Sequence, residues 1–180
     1  IKYVIVGGLA AIIKGSPRTT TDIDIIVRSE PNLSEKLIRA FESVGFEVMG
    51  SQVRSAINEG YNASIFMENS VIRIDLKVAR KPDEFEVLNQ SMEQNYKDIT
   101  FQMATVEQIL YGKVLYLGDI SDLADDEFLD FNDAKDFIHV FLSASSVDLQ
   151  WLERKTEEKG LNATLERLLR KAEELKEAQS

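Results

Sequence analysis

The chain contains no cysteine, one histidine, three prolines and no apolar run of 18 or more residues. Without cysteine, neither a disulfide nor a thiolate-held metal is available. With His139 alone, a multi-histidine metal cluster is excluded and a serine–histidine–aspartate triad is not expected. The missing apolar run, and the absence of a basic-then-apolar leader, set the expectation of a soluble cytoplasmic protein with no membrane partner. Positive charge is scarce as well: 21 Lys and Arg face 31 Asp and Glu, a formal net charge of −10. Affinity for nucleic acid rests largely on neutralised phosphates, so this balance argues against extensive sequence-independent binding. It leaves room for one local basic pocket holding a triphosphate. The chain opens at Ile1, inside a strand pattern over Tyr3 to Val6, which sets the expectation that further residues precede it.

What is present is ordinary for a globular protein: 180 residues, 44% hydrophobic and 29% charged, enough for one domain with a core or a core with an appendage. Strand signals fall at 3–6, 22–28, 46–49, 62–67, 71–78 and 99–103. The clearest is VIRIDLKV, Val71 to Val78, in which Ile72, Ile74, Leu76 and Val78 share one face and Arg73, Asp75 and Lys77 the other. Residues 62–67 and 71–78 flank the turn-like Glu68-Asn69-Ser70 and read as a hairpin. Leu33, Leu37, Ala40, Phe41 and Val44 mark a helical face, with Asn32 and Glu35 as a capping-box-like start and Gly45 as a stop. Past residue 104 the pattern turns helical, at about 105–117, 131–143, 147–158 and 162–178. The expected class is α+β: a mixed α and β core over 1–103, then a helical region over 104–180 that completes a cleft.

Residues 7–24, GGLAAIIKGSPRTTTDID, carry the densest chemical signal. Side chains alternate along a strand, so Asp22 and Asp24 share a face while Ile23, Ile25 and Val27 point into the core. Neighbouring carboxylates repel unless a cation sits between them. Gly7 and Gly8 put bare amides at a helix start, where phosphate can bind. Alone, Gly-Gly also serves a tight turn, and Asp-x-Asp also reads as a solvated pair. Asp75 changes the balance, because three carboxylates from two strands suit Mg²⁺, a hard cation that takes oxygen ligands. Two such ions can hold the attacking and leaving oxygens of an in-line phosphoryl or nucleotidyl transfer.

Gly7-Gly8, then Arg18-x-Thr20-x-Asp22-Ile23-Asp24, then a strand-borne Asp75, resembles the polymerase-beta-like nucleotidyltransferase superfamily. The nearest likeness is to its small prokaryotic branch related to abortive-infection and toxin–antitoxin nucleotidyltransferases. The resemblance covers the first half of the chain. It implies a mixed sheet with flanking helices, Asp22, Asp24 and Asp75 as ligands of Mg²⁺ or Mn²⁺, and an NTP as co-substrate. It makes Asp75 a possible acceptor of the nucleophile's proton, and Gly7 and Gly8 contacts of the nucleotide phosphates; Arg18 and Thr20 are further candidate nucleotide contacts. Many members have Gly-Ser where this chain has Gly7-Gly8, which leaves backbone contacts to phosphate without the hydroxyl. From the residues alone, Arg18 either reaches a triphosphate or pairs with Asp22. Arg73 and Lys77 either tune Asp75 or contact a ligand, and for Arg73 a solvated strand face is the simpler reading.

In the second half, Thr105 and Gln108 form a capping box ahead of Val106, Ile109, Leu110 and Leu117. Lys113 falls at the centre of that apolar face. Lysine is rarely buried without a partner, so it either snorkels to the surface or meets an aspartate or a phosphate. Around Phe137, Phe141, Ala134 and Val140, helical spacing puts Asp133 inside the apolar face and Asp136 at its flank. In the toxin-like branch a helix-borne lysine and a Lys-Asp-x-x-Asp-like segment belong to the active site. Asn132-Asp133-Ala134-Lys135-Asp136 is similar, the register between Asp133 and Asp136 being open. The acidic stretch 119–130 reads as a solvated loop or helix face, His139 as structural, and Trp151 as a packing anchor.

The leading expectation is a metal-dependent nucleotidyltransferase moving NMP from an NTP to an acceptor hydroxyl, with Lys113 and Asp133 in the active site. The acceptor is a transfer RNA end, a protein hydroxyl or a small molecule. The alternative is a catalytically weak nucleotide-binding or antitoxin-like module of the same fold, and a third reading is a helical protein-interaction module.

Overall fold

The computed structural model describes residues 1–67 and 69–178. Its contacts divide the chain into two compact units, 1–9 with 19–104 and 10–18 with 105–180. The segment 10–18 thus groups with the helical residues, although it precedes most of the sheet in the chain. The turn residue Glu68 lies outside the described residues.

The first unit is built on seven strands: β1 (Tyr3–Val6), β2 (Asp22–Val27), β3 (Phe46–Glu47), β4 (Ala63–Met67), β5 (Arg73–Val78), β6 (Met92–Tyr96) and β7 (Ile99–Met103). They form one mixed sheet in the order β3-β4-β5-β2-β1-β7-β6. β2 lies parallel to β5 and antiparallel to β1, with Asp22 opposite Arg73, Asp24 opposite Asp75, and Val6 opposite Asp24. β4 and β5 form the expected antiparallel hairpin, which sets Ser64 opposite Asp75.

The alternation in β2 and β5 decides the layers. Val27, Ile74, Leu76 and Val78, with Ile23 and Ile25, pack on one side of the sheet. The helices α2 (Leu33–Glu42) and α3 (Gly50–Glu59) contribute Leu33, Leu37, Val53 and Ala56 to that core. Asp22, Asp24, Arg73, Asp75 and Lys77 fall on the opposite side.

The start of α2 differs from its expected cap. Asn32 lies in the left-handed region (φ 58°) and its side chain makes no cap hydrogen bond, while Ser34 donates to Glu35. The stop at Gly45, with φ 84°, is as expected. Two helices carried little periodicity in the sequence, α3 and α4 (Pro82–Gln90). The second opens on proline, whose missing N–H costs nothing in a first turn. There Glu84 accepts the Arg80 and Lys81 amides and pairs with Lys77 at 2.7 Å. β6 was not anticipated either: Met92-Glu93-Gln94-Asn95-Tyr96 is an edge strand with four of its five side chains exposed, so no buried face writes an alternation into it.

The helix α1 (Gly7–Ile13) begins in the first unit and runs on into the second. The second unit adds α5 (Val106–Leu117), α6 (Asp125–Leu129), α7 (Asn132–Ser143), α8 (Leu149–Glu157) and α9 (Asn162–Ala178). Leu110, Val114, Phe128, Phe137, Leu152 and Leu168 are fully enclosed and form its interior. Thr105 caps α5 by accepting the Gln108 N–H, and Gln108 accepts that of Thr105. The acidic stretch is a solvated loop and short helix as expected, with Asp119, Asp122, Asp126, Glu127 and Asp130 exposed. It forms α6, which buries Phe128 and turns Asp125 toward Arg167 at 2.7 Å and Lys171 at 2.7 Å on α9. Among the described residues, no helix is long and apolar enough to cross a membrane.

Candidate functional site

In the first unit, the register of β2 on β5 gathers a charged group on the polar side of the sheet. Asp24 and Asp75 are direct neighbours across the two parallel strands, and Asp22 stands two residues from Asp24 on the same face. Asp22 is steadied from its own loop, its N–H donating to the Thr20 hydroxyl at 3.2 Å. Asp75 accepts the Ser64 hydroxyl at 2.6 Å through Oδ1. Gly7 has φ +68°, and a Cβ there would lie 2.0 Å from Asp24 Oδ2. Position 7 therefore requires glycine twice over, for its backbone conformation and for the carboxylate seated against it. Gly8, which follows, is buried.

Arg73 lies among these carboxylates rather than along a solvated face. Its Nη2 is 3.1 Å from Asp22 Oδ2 and 2.9 Å from Asp75 Oδ2, and Nε donates to the same Asp75 oxygen at 3.1 Å. Lys77, two residues past Asp75, turns instead to Glu84. Among the described residues, no three His, Asp or Glu side chains are gathered closely enough to hold a metal ion. The Arg73 guanidinium lies against the Asp22 and Asp75 oxygens there. By its chemistry alone the donor set suits a hard cation, being oxygen only and on one face of the sheet.

The second unit holds a separate and deeper charge network. Lys113, on the apolar face of α5, is 4% exposed, and its ammonium lies 2.8 Å from Asp133 and 2.6 Å from Asp136. The two aspartates exchange the places that helical spacing gave them. Asp136 is fully enclosed, whereas Asp133, in the first turn of α7, is one-third exposed. Asp136 is covered because segment 10–18 lies against it: Ser16 donates to Oδ1 at 2.6 Å and Arg18 grips both oxygens at 2.7 and 2.9 Å. Burial works against the charged form of Asp136, but the bonds from Arg18, Lys113 and Ser16 prevail and hold its pKa below the usual carboxylate range. Arg18 thus has a carboxylate partner other than Asp22.

No protein-family model and no curated protein matches this sequence. Among solved structures, the chain is similar to the crystal structure of an antigenic nucleotidyltransferase-like protein from Paracoccidioides brasiliensis. The TM-score is 0.52 and the identity 17%, over 92% of this chain and 83% of that one. The fold is nucleotidyltransferase-like. In this nucleotidyltransferase-like fold the structure brings Asp22, Asp24, Asp75 and Gly7 together in the first unit, and Lys113, Asp133 and Arg18 in the second. Two participants in the first group escaped the sequence reading, Ser64 and the bridging role of Arg73. Ser64 sits in the hairpin partner of the Asp75 strand, but counting back evenly from the turn at 68–70 sets it opposite Ile74, one residue short of the observed register. Arg73 meets Asp22 only because β2 and β5 are neighbours, which no local pattern states.

Proposed function

We propose that the protein is a metal-dependent nucleotidyltransferase, moving a nucleoside monophosphate from an NTP to an acceptor hydroxyl with release of pyrophosphate. The observation that carries the reading is the pairing of Asp24 with Asp75 across β2 and β5, with Asp22 beside them and Gly7 closed against Asp24. The likeness of fold supports it. Asp22, Asp24 and Asp75 would hold Mg²⁺ or Mn²⁺, which supplies charge neutralisation and Lewis-acid stabilisation of the phosphate oxygens when bound.

The chain's own groups do the rest. In the reaction the acceptor oxygen forms a bond to the α-phosphorus, the bond from that phosphorus to the bridging oxygen breaks, and pyrophosphate leaves. Asp75 takes the acceptor's proton, its carboxylate oriented by the Ser64 hydroxyl. Gly7 and Gly8 offer backbone to the triphosphate. Catalysis of this kind is positioning and electrostatics more than covalent chemistry. Lys113, Arg18 and Thr20 stay candidate nucleotide contacts and Asp133 a candidate catalytic residue. The small prokaryotic toxin–antitoxin branch is the finer family assignment, with a transfer RNA end, a protein hydroxyl or a small molecule as acceptor.

The test is incubation with Mg²⁺ and each α-labelled NTP, with and without cell extract. Label passing to a macromolecule or metabolite supports transfer and names the acceptor class, and no label passing from any NTP refutes it. One observation favours the second reading, a nucleotide-binding module with little turnover: Arg73 already balances the carboxylates.

A further inference from the structure

We infer that Arg73 is a built-in counter-cation of the carboxylate site, which a divalent ion must displace from Asp22 and Asp75 in order to bind. The inference rests on the reading of Asp22, Asp24 and Asp75 as metal ligands. Three carboxylates on one sheet face repel one another, and a folded chain without a metal must offset that repulsion with a charge of its own. Arg73 is placed to do so twice. It lies directly across the parallel pair from Asp22, and on its own strand it precedes Asp75 by two residues, so all three side chains share a face. A single nitrogen, Nη2, contacts Asp22 Oδ2 at 3.1 Å and Asp75 Oδ2 at 2.9 Å. Asp22 and Asp75 are two of the three carboxylates that would hold the ion, and a guanidinium and a metal ion cannot share the same lone pairs.

The contacts are open to solvent. The Arg73 side chain is 37% exposed, and the carboxylates it holds are 40% (Asp22) and 26% (Asp75) exposed, so solvent reaches every partner. Ion pairs of this kind are held weakly and are screened by salt. A divalent ion bound through several oxygens outcompetes them, while Ser64 keeps hold of the other Asp75 oxygen. Arg73 therefore sets the threshold of metal affinity: it stabilises the metal-free face and raises the metal concentration needed to fill it.

The experiment is calorimetric titration of Mn²⁺ into the wild-type chain, Arg73→Gln and Arg73→Lys, with thermal melts of each with and without Mn²⁺. The expected result is Mn²⁺ binding about tenfold tighter in Arg73→Gln, on the scale of two exposed ion pairs removed. Arg73→Lys, which keeps the charge and loses the fork, falls between the two. The metal-free Arg73→Gln protein melts below wild type and gains more from Mn²⁺. Equal or weaker Mn²⁺ binding by a folded Arg73→Gln protein overturns the inference and leaves the proposed function standing. Should that variant not fold, Arg73→Lys with wild-type affinity overturns the inference on its own. No Mn²⁺ binding by any of the three overturns the metal reading itself.

Discussion

Replacing Asp136 by Asn tests how the helical unit is held together. Four polar contacts converge on this fully enclosed carboxylate: Ser16 at 2.6 Å, Arg18 at 2.7 and 2.9 Å, and Lys113 at 2.6 Å. Asn keeps the shape but removes the charge, leaving the cations of Arg18 and Lys113 against a neutral amide. Breaking a buried pair from one side costs about 3–5 kcal/mol. The lower end applies here, because Lys113 retains Asp133 at 2.8 Å and the Arg18 side chain reaches solvent. A loss of about 3 kcal/mol at this chain length corresponds to a fall of roughly 6–12 °C in Tm. Asp133→Asn removes a one-third-exposed partner and costs about 0–1 kcal/mol. Urea unfolding followed by the fluorescence of Trp151, which stacks edge-on against Tyr111 within the same unit, reads both variants. An Asp136→Asn protein within about 1 kcal/mol of wild type, or an Asp133→Asn protein that loses more, would refute the reasoning.

The same carboxylate gives a pH dependence. Its pKa is depressed in the fold, so its contribution is complete above the ordinary aspartate value near 3.9 and is lost as pH falls below that toward the folded value. Acid titration of the Trp151 signal should show this loss in wild type and not in Asp136→Asn. Gly7→Ala must adopt a left-handed backbone, at roughly 1–2 kcal/mol, and also push Asp24 aside, so both the Tm and Mn²⁺ binding should fall. A wild-type melt and titration would contradict the account of that position. Leu76→Ala, at a fully enclosed site in the sheet core, should cost about 2–5 kcal/mol in urea titration while leaving the order of strands intact.

The readable parts of this chain are those where a buried face imposes its period. Residues 71–78 alternate because one face of β5 is core, and α9 is marked by Leu165, Leu168 and Ala172, all of which are enclosed. Lys113 stood out because a charge at the centre of an apolar face needs a partner, and two aspartates supply it. Legibility fails where a residue's surroundings come from far along the chain. A helical wheel ranks Asp133 inside and Asp136 at the flank, because it cannot know that Ser16 and Arg18 arrive from 120 and 118 residues away to cover Asp136. Arg73 looked solvated for the same reason: its partner Asp22 is on another strand. β6 was silent because an edge strand exposed on both faces has no core to write a pattern against.

The central claim is that the Asp22, Asp24 and Asp75 face supports transfer of a nucleotidyl group. The most direct measurement compares α- and γ-labelled NTP in parallel reactions with Mg²⁺, acceptor-containing extract, and either the wild-type chain or Asp24→Asn. The account predicts that the α-label becomes attached to an acceptor while the γ-label appears as pyrophosphate, both being lost in an Asp24→Asn protein that still folds. Transfer undiminished in Asp24→Asn, or neither label moving in the wild type with any NTP, would contradict it.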